Sequence, residues 1–328
     1  MSTGFFDNFC GNLFLMSINI PRLSVSAPAK VNLHLSVKDR RPDGFHNLES
    51  VFLALDFGDS LHFEPIPGKD SVEIVMEGLN FNLPLEKNII FKTLSLFRSK
   101  TGYDQGLKIT VEKRIPVGGG LGGGSSDAAA VLLALNKLAG GSLSRDALLE
   151  LAASLGSDVP FFIYETASAW VSGRGECIEP IEALRCFFVL VNPGFPSGTA
   201  AAFRLLDEYR TEEFNRGGTR SDHVELQNQT QNSVKLRGKK LFSLMETDAF
   251  WNDFLPVFKD PEKSVYLDII SQLQKLGADF ANLSGAGSTC FGVFKEKAQA
   301  EKAAAQLRDT GQWSFVEYCR PRIIDNEH

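Results

Sequence analysis

Cysteine, histidine and tyrosine are scarce in this 328-residue chain, with five of each. The cysteines, Cys10, Cys177, Cys186, Cys290 and Cys319, form no C-x-x-C pair and keep no metal-like spacing with the histidines. That argues against a zinc site and a disulfide-framed secreted domain, and points to reduced, buried thiols in a cytoplasmic protein. No apolar run approaches the about 18 residues of a membrane helix, so no membrane partner is expected. The longest run, Cys186 to Val191, suits a buried strand. A dense basic cluster is missing beyond the short stretch from Lys235 to Lys240. With 34 basic against 40 acidic residues and a net charge of -6, nucleic acid is not an expected partner either. The first twenty residues are apolar but hold Asp7 and no Lys or Arg before Arg22. Lacking the basic start of a signal peptide, they are expected to be a non-core extension, with Met16 an alternative start.

Glycine, by contrast, is concentrated. After Pro116 and Val117, six of the seven positions Gly118, Gly119, Gly120, Leu121, Gly122, Gly123 and Gly124 are glycine, followed by Ser125, Ser126 and an alanine-rich helix-forming stretch. Glycines leave backbone N–H groups uncovered by any Cβ, and a helix start adds unpaired amides and the positive end of a dipole. An anion, most simply phosphate, belongs there. A flexible linker would not run straight into a helix. Gly118, Gly120 and Gly123 satisfy the dinucleotide pattern G-x-G-x-x-G, but 144–155 reads as a helix instead of leading to a strand with a terminal acid. The Walker loop fails as well, for no lysine precedes Ser125. Backbone amides and two hydroxyls remain, and the positive charge must come from elsewhere.

Hydrophobic residues make up 43% of the chain, enough for a large core, and the length favours two domains. Residues 22–38 alternate, with Val31, Leu33, Leu35 and Val37 on one face and Lys30, Asn32, His34 and Ser36 on the other. Such a strand has one face buried and one in water. Further strands are expected at 50–55, 71–76, 107–112 and 169–171, and helices at 88–100, 127–138 and 145–155. The lack of strict strand–helix alternation favours an α+β fold over a doubly wound sheet. After Pro180 the pattern restarts with a strand at 186–192 and a helix at 199–209, then a polar loop or exposed helix at 211–240. A helix at 264–276, strands at 279–284 and 290–294, a helix at 297–309 and a strand at 313–319 complete a second two-layer sandwich. The expected halves are residues 1–181 and 182–328.

Phosphoryl transfer needs held phosphates, a cation near the reacting oxygens and a group to take or orient the acceptor's proton. Lys30, read alone, is a solvated strand-end lysine. Asp158, with Pro160 two residues on, reads alone as a helix N-cap. Set side by side, the aspartate could receive an alcohol's proton while the lysine stabilises the forming alkoxide. The turn holding Gly285 and Gly287 either bares more backbone amides or is a plain hairpin. Phe45 and His46 flank a glycine turn, or else stack on a base and bond its edge. Phe203 lies on a core-like helix, where packing is the simplest reading.

Three segments together, Pro28 to Leu33, Pro116 to Ala130 and Leu283 to Ser288, resemble the three motifs of the GHMP kinases. With Arg41 to His46 and Gly156 to Phe162 the likeness spans residues 22 to 319. It implies a two-domain α+β fold, a ribosomal-S5-domain-2-like half followed by a ferredoxin-like half, with the site in the cleft. It also implies ATP with Mg²⁺ and phosphorylation of the 2-hydroxyl of 4-diphosphocytidyl-2-C-methyl-D-erythritol in the non-mevalonate isoprenoid route. By this resemblance Asp158 is the base and Lys30 its partner. The loop from Pro116 to Ser126 holds the triphosphate, Asn88 lies by the nucleotide, and Gly285 and Gly287 close over the transfer site. His46 reads the cytosine edge, Phe45 and Phe203 sandwich its ring, and Asn32 and Thr199 lie near the diphosphate or methylerythritol. The family commonly has tyrosine where Phe45 stands, which keeps stacking and removes a hydroxyl. Metal ligands stay open, as do action on another small alcohol and a catalytically silent, nucleotide-binding role. The expected state is a monomer or weak homodimer.

Overall fold

The computed structural model describes residues 22–78, 84–182, 184–215 and 250–324. The expected extension before residue 20, and residues 216–240 of the expected polar insert, lie outside the described residues. β1 (Leu23–Arg40) and β2 (His46–Pro65) form a long antiparallel hairpin, paired from Leu23 with Phe63 to Arg40 with His46. β2 runs far past the expected six residues because its other edge is shared. It pairs with β5 (Ser168–Gly173) at its start and with β4 (Leu107–Glu112) at its end. β3 (Val72–Glu77) joins β4 in parallel, and β6 (Cys177–Pro180) joins β5 antiparallel. β6 was not expected: four residues with only Ile178 buried are too short to display a two-residue period.

One face of this six-stranded sheet is covered by α1 (Ile89–Thr101), α2 (Gly123–Leu138), α3 (Arg145–Leu155) and the short α4 (Val159–Ile163). Phe52, Phe63, Leu94, Phe97, Leu132, Leu135 and Phe161 pack between the layers. Full burial of each such side chain stabilises by roughly 1.5–3 kcal/mol. A second apolar cluster joins this sheet to the second one, Val31, Leu33, Leu53 and Leu55 meeting Phe188, Leu190 and Phe291. The second sheet has the order β10-β7-β9-β8, all antiparallel: β7 (Phe187–Asn192), β8 (Phe280–Leu283), β9 (Cys290–Phe294) and β10 (Phe315–Cys319). α5 (Thr199–Asn215), α6 (Glu262–Lys275) and α7 (Lys297–Asp309) pack on it around Val189, Val191, Tyr266, Leu273 and Phe294. Residues 211–215 continue α5, so the expected insert begins as helix. The chain crosses from the first sheet to the second between β6 and β7.

Two expectations are corrected. β1 is not half in water: Lys30, Asn32, His34 and Ser36 are all at most 4% exposed. The reason is tertiary, since the segment after residue 249 and the turn between β8 and β9 lie against it. Leu35 N donates to Trp251 O at 2.9 Å, and Asn32 N to Ser284 Oγ at 3.3 Å. His34 sits among the rings of Trp170, Phe250 and Trp251, and burial, with the nearby Lys38 charge, lowers its pKa to about 3. It is therefore a neutral packing residue. α2 begins four positions earlier than expected, inside the glycine run. Glycine is a poor helix former, but here packing decides: a Cβ on Gly123 would lie 3.0 Å from Ile115 Cγ2.

Candidate active site

The glycine loop is built between the two sheets. At Gly122, with φ +70°, a Cβ would crowd the stem of Lys30, 3.0 Å from Cγ and 3.1 Å from Cε. Only glycine fits that backbone without strain. Lys30 N donates to Leu121 O at 2.9 Å, so strand β1 and the loop are tied directly. The turn after β8 is tied to the same loop. Ser284 Oγ donates to Gly120 O at 2.9 Å and Thr289 N to Gly119 O at 3.1 Å. Asn192 Nδ2 reaches Ser288 Oγ at 3.2 Å and Thr289 Oγ1 at 2.9 Å. The Gly285–Gly287 turn is therefore more than a hairpin end, because it stacks its backbone on the glycine loop. Pro116 O accepts Gly119 N, while Val117 is exposed. Ser126 is buried in the first turn of α2 with no partner for its Oγ among the described residues, and Ser125 Oγ lies toward Gly156, 3.9 Å from where a Cβ there would stand.

Lys30 and Asp158 come together. The β1–β2 register shifts between Pro28 and Lys30, a bulge of the kind that re-aims a side chain. Lys30 Nζ lies 3.2 Å from Asp158 Oδ2, donates to Asn32 Oδ1 at 2.5 Å and stands 4.3 Å from the Phe52 ring centroid. Asn32 is fixed in turn by donating Nδ2 to Ser50 Oγ at 2.9 Å. Asp158 occupies the N-cap position of α4 yet makes no side-chain cap bond. The cap reading fails, since its carboxylate is spent on Lys30. The pair is asymmetric: the Lys30 side chain is 5% exposed, that of Asp158 29%. A buried ammonium with two of its N–H groups on Asp158 and Asn32 thus sits beneath a carboxylate that is partly exposed.

Asn88 opens α1, and a Cβ on Gly124 would stand 4.0 Å from Ile89. It lies beside the loop, but its Oδ1 accepts Ile90 N at 2.9 Å, so that oxygen is committed to capping. Thr199 opens α5. On the same helix Phe203 does not stand free. It stacks on the His46 imidazole, centroids 5.1 Å apart, and meets Phe254 edge-on at 4.9 Å. His46 is buried, with Nε2 2.9 Å from Asp207 Oδ1, a partner the sequence did not single out. Phe45 is 49% exposed with the Arg174 guanidinium 3.9 Å from its ring centroid.

Sequence reasoning also missed a buried ion cluster behind the loop. Lys113 Nζ bonds both Asp59 Oδ2 and, at 2.8 Å, Asp127 Oδ2. Asp59 Oδ1 accepts the backbone N–H groups of Arg114 at 2.6 Å and Ile115 at 2.9 Å, which fixes the entry to the loop, whereas Asp127 Oδ1 has no partner among the described residues. Two carboxylates share one ammonium, and Asp127, which lacks the two backbone N–H bonds that Asp59 accepts, is the one that more readily holds a proton. Burial, reinforced by the Asp59 charge against the pull of Lys113, raises Asp127 to about 7. An unfolded aspartate titrates near about 3.9. Between that value and about 7 the native state holds the extra proton, so this group's contribution to stability falls as pH rises through the window. Asp127→Asn keeps the shape and removes the titration. Its unfolding midpoint relative to wild type should therefore climb between about pH 4 and about pH 8. A difference that stays constant over that range would show the carboxyl ionised throughout.

Family models match two stretches: the GHMP kinases N terminal domain over residues 88–166, and the GHMP kinases C terminal domain over residues 234–312. A protein of Xanthomonas axonopodis pv. citri called 4-diphosphocytidyl-2-C-methyl-D-erythritol kinase is 38% identical over 281 residues, covering 86% of this chain and 85% of that one. A Syntrophotalea carbinolica protein of the same name is 36% identical over 298 residues, covering 88% and 96%. A solved 4-(cytidine 5'-diphospho)-2C-methyl-D-erythritol kinase superposes with a TM-score of 0.68 at 30% identity, covering 92% of this chain and all of the other. A homoserine kinase from Cytophaga hutchinsonii has the same TM-score at 17% identity, which speaks to fold alone. With its three motifs hydrogen-bonded to one another between the two sheets and relatives matching it over most of its length, this chain belongs to the GHMP kinase family.

Proposed function

We propose that the protein transfers the γ-phosphoryl group of ATP to the 2-hydroxyl of 4-diphosphocytidyl-2-C-methyl-D-erythritol, giving the 2-phosphate and ADP. Membership of a kinase family makes ATP the donor. The observation that carries the reading is the Lys30–Asp158 pair set directly beneath the glycine loop. In this reading the loop from Gly118 to Ser126 cradles the triphosphate with backbone amides, strengthened by the positive end of α2. Asp158 accepts the proton of the attacking hydroxyl, and Lys30 holds the forming alkoxide close to it. The Gly285–Gly287 turn covers the transferring group from the other sheet. The two halves meet near residue 181, with the cleft between them.

Mg²⁺ is held chiefly by substrate phosphates and one or two protein oxygens in such sites, so no acidic cage is needed. Among the described residues no group of three His, Cys, Asp or Glu side chains could hold a metal. Ser126 Oγ, which has no hydrogen-bond partner among the described residues, fits the lesser role, as one oxygen beside the phosphates. The ion would neutralise charge on the phosphoryl oxygens. On the acceptor side His46, oriented by Asp207, reads the cytosine edge, while Phe45 and Phe203 offer ring faces to it and Asn32 and Thr199 lie along the rest of the molecule. A coupled ADP-release assay offering the cytidyl alcohol, mevalonate and homoserine side by side tests the substrate. Turnover with the first alone is expected. Turnover with either of the others in its place would leave the kinase chemistry standing and remove the cytidyl assignment.

A further inference from the structure

Trp251, Asn252 and Asp253, which follow Phe250, join the turn after β8 to the long helix α5. Asn252 is 4% exposed and donates both Nδ2 hydrogens to the backbone of the turn after β8, to Leu283 O at 2.8 Å and Gly285 O at 2.7 Å. Its Oδ1 accepts Phe254 N at 2.8 Å. Ser197 Oγ holds the next carbonyl, Ala286 O, at 2.5 Å, while Ser197 N donates to Gly118 O. Because a peptide unit is planar, fixing a trans carbonyl on one side aims the following N–H to the other. Gly285 O held by Asn252 thus sets the direction of the Ala286 amide, which donates to no group among the described residues. The same turn abuts Lys30's partner: a Cβ on Gly285 would lie 3.2 Å from Asn32 Oδ1. Asp253 Oδ2 accepts Val37 N at 2.7 Å and lies 3.5 Å from Arg210 of α5, and Arg210 also donates to Val37 O at 2.6 Å. That helix carries Phe203 and Asp207, the neighbours of His46.

We infer that Asn252 is a positioning residue for phosphoryl transfer. It pins the Gly285 carbonyl so that the Ala286 amide faces the transferring group, braces the turn through Leu283 O, and through Asp253 keeps that turn in register with the acceptor-side helix. The inference rests on the proposed reading for the identity of the acceptor, and on kinase chemistry alone for the rest. Ser197 assists by holding the adjacent carbonyl. Neither residue touches the reacting atoms.

Asn252→Asp is the informative change, because the carboxylate has the same size and cannot donate to a carbonyl. In the folded variant kcat should fall by ~10- to 100-fold, as misplacement of catalytic groups does, while KM for ATP and for the cytidyl alcohol stays within about threefold. The deficit should shrink as pH is lowered, since a protonated carboxyl recovers one donated bond. A residue that only supported the fold would lower the unfolding midpoint and leave kcat per folded molecule unchanged, with no altered pH profile. Ser197→Ala, which deletes one hydroxyl, gives a second reading if the aspartate variant does not fold. A several-fold loss in kcat is expected there. Wild-type kcat in folded Asn252→Asp, or in Ser197→Ala where the former does not fold, would overturn the inference, as would a loss confined to KM. Wild type assayed in parallel separates the two ideas. If wild type does not turn over the cytidyl alcohol, the acceptor assignment fails, and the same variants are then measured on the alcohol it does phosphorylate.

Discussion

Asp158→Asn should lower kcat by about 10² or more while ATP binding stays nearly intact, read by steady-state kinetics beside nucleotide titration. The substitution is isosteric, and the amide oxygen can still accept from Lys30 Nζ, which now stands 3.2 Å from Oδ2. Asp158 caps no helix, so no cap is lost and the fold should be unaffected. What disappears is the basic group facing the cleft. A variant with wild-type kcat would reduce Asp158 to a counter-ion for a buried lysine, and the proton would have to leave by another route. A variant that lost ATP binding in proportion would place the carboxylate on the nucleotide instead.

Gly120→Ala should cost both stability and turnover. Gly120 has φ +73°, which costs an alanine roughly 1–2 kcal/mol. The added Cβ would also overlap Ser284 O and stand 2.9 Å from Gly287 O, both backbone atoms of the turn on the opposite sheet. Neither can yield without parting the loop from the turn, where Ser284 Oγ donates to Gly120 O. A destabilisation of about 2 kcal/mol or more is expected, with a midpoint lower by several degrees, together with a rise in KM for ATP and a fall in kcat. Gly124→Ala is the control for stability. It lies inside α2, where the nearest atom to its Cβ would be Ile89 Cγ2 at 4.0 Å, so its midpoint should hold or rise by up to about 1 kcal/mol in stability. Equal midpoints for the two variants would mean that the loop and turn are not packed as described.

The contrast between these glycines shows what was legible in the sequence. A run of glycines ahead of an alanine-rich helix announces an anion site, because local backbone freedom and helix propensity are written in neighbouring residues. Most helices were legible for the same reason, and the strands of the second half were legible as short apolar runs bounded by turns. Which glycine is indispensable was not, for it depends on Lys30 beneath Gly122 and Ser284 against Gly120, 164 residues away. The burial of Lys30, Asn32 and His34 was hidden likewise. Their alternation signals a wet face, and only the segment at 250–253 and the turn at 284–289 reveal that it is covered. Asp59, Lys113 and Asp127 carry no spacing that relates them, since 54 residues separate the first two. Asn252 and Asp207 follow no motif at all, and their bonds exist only once the second half has folded.

The most direct measurement is ³¹P NMR of wild-type protein incubated with ATP and the cytidyl alcohol, with ADP followed in the same sample. One new phosphomonoester resonance on the 2-hydroxyl, growing in step with ADP and with the diphosphate bridge intact, is the expected result. ADP accompanied by inorganic phosphate alone, or ATP left unconsumed while the nucleotide is bound, would contradict transfer to this alcohol.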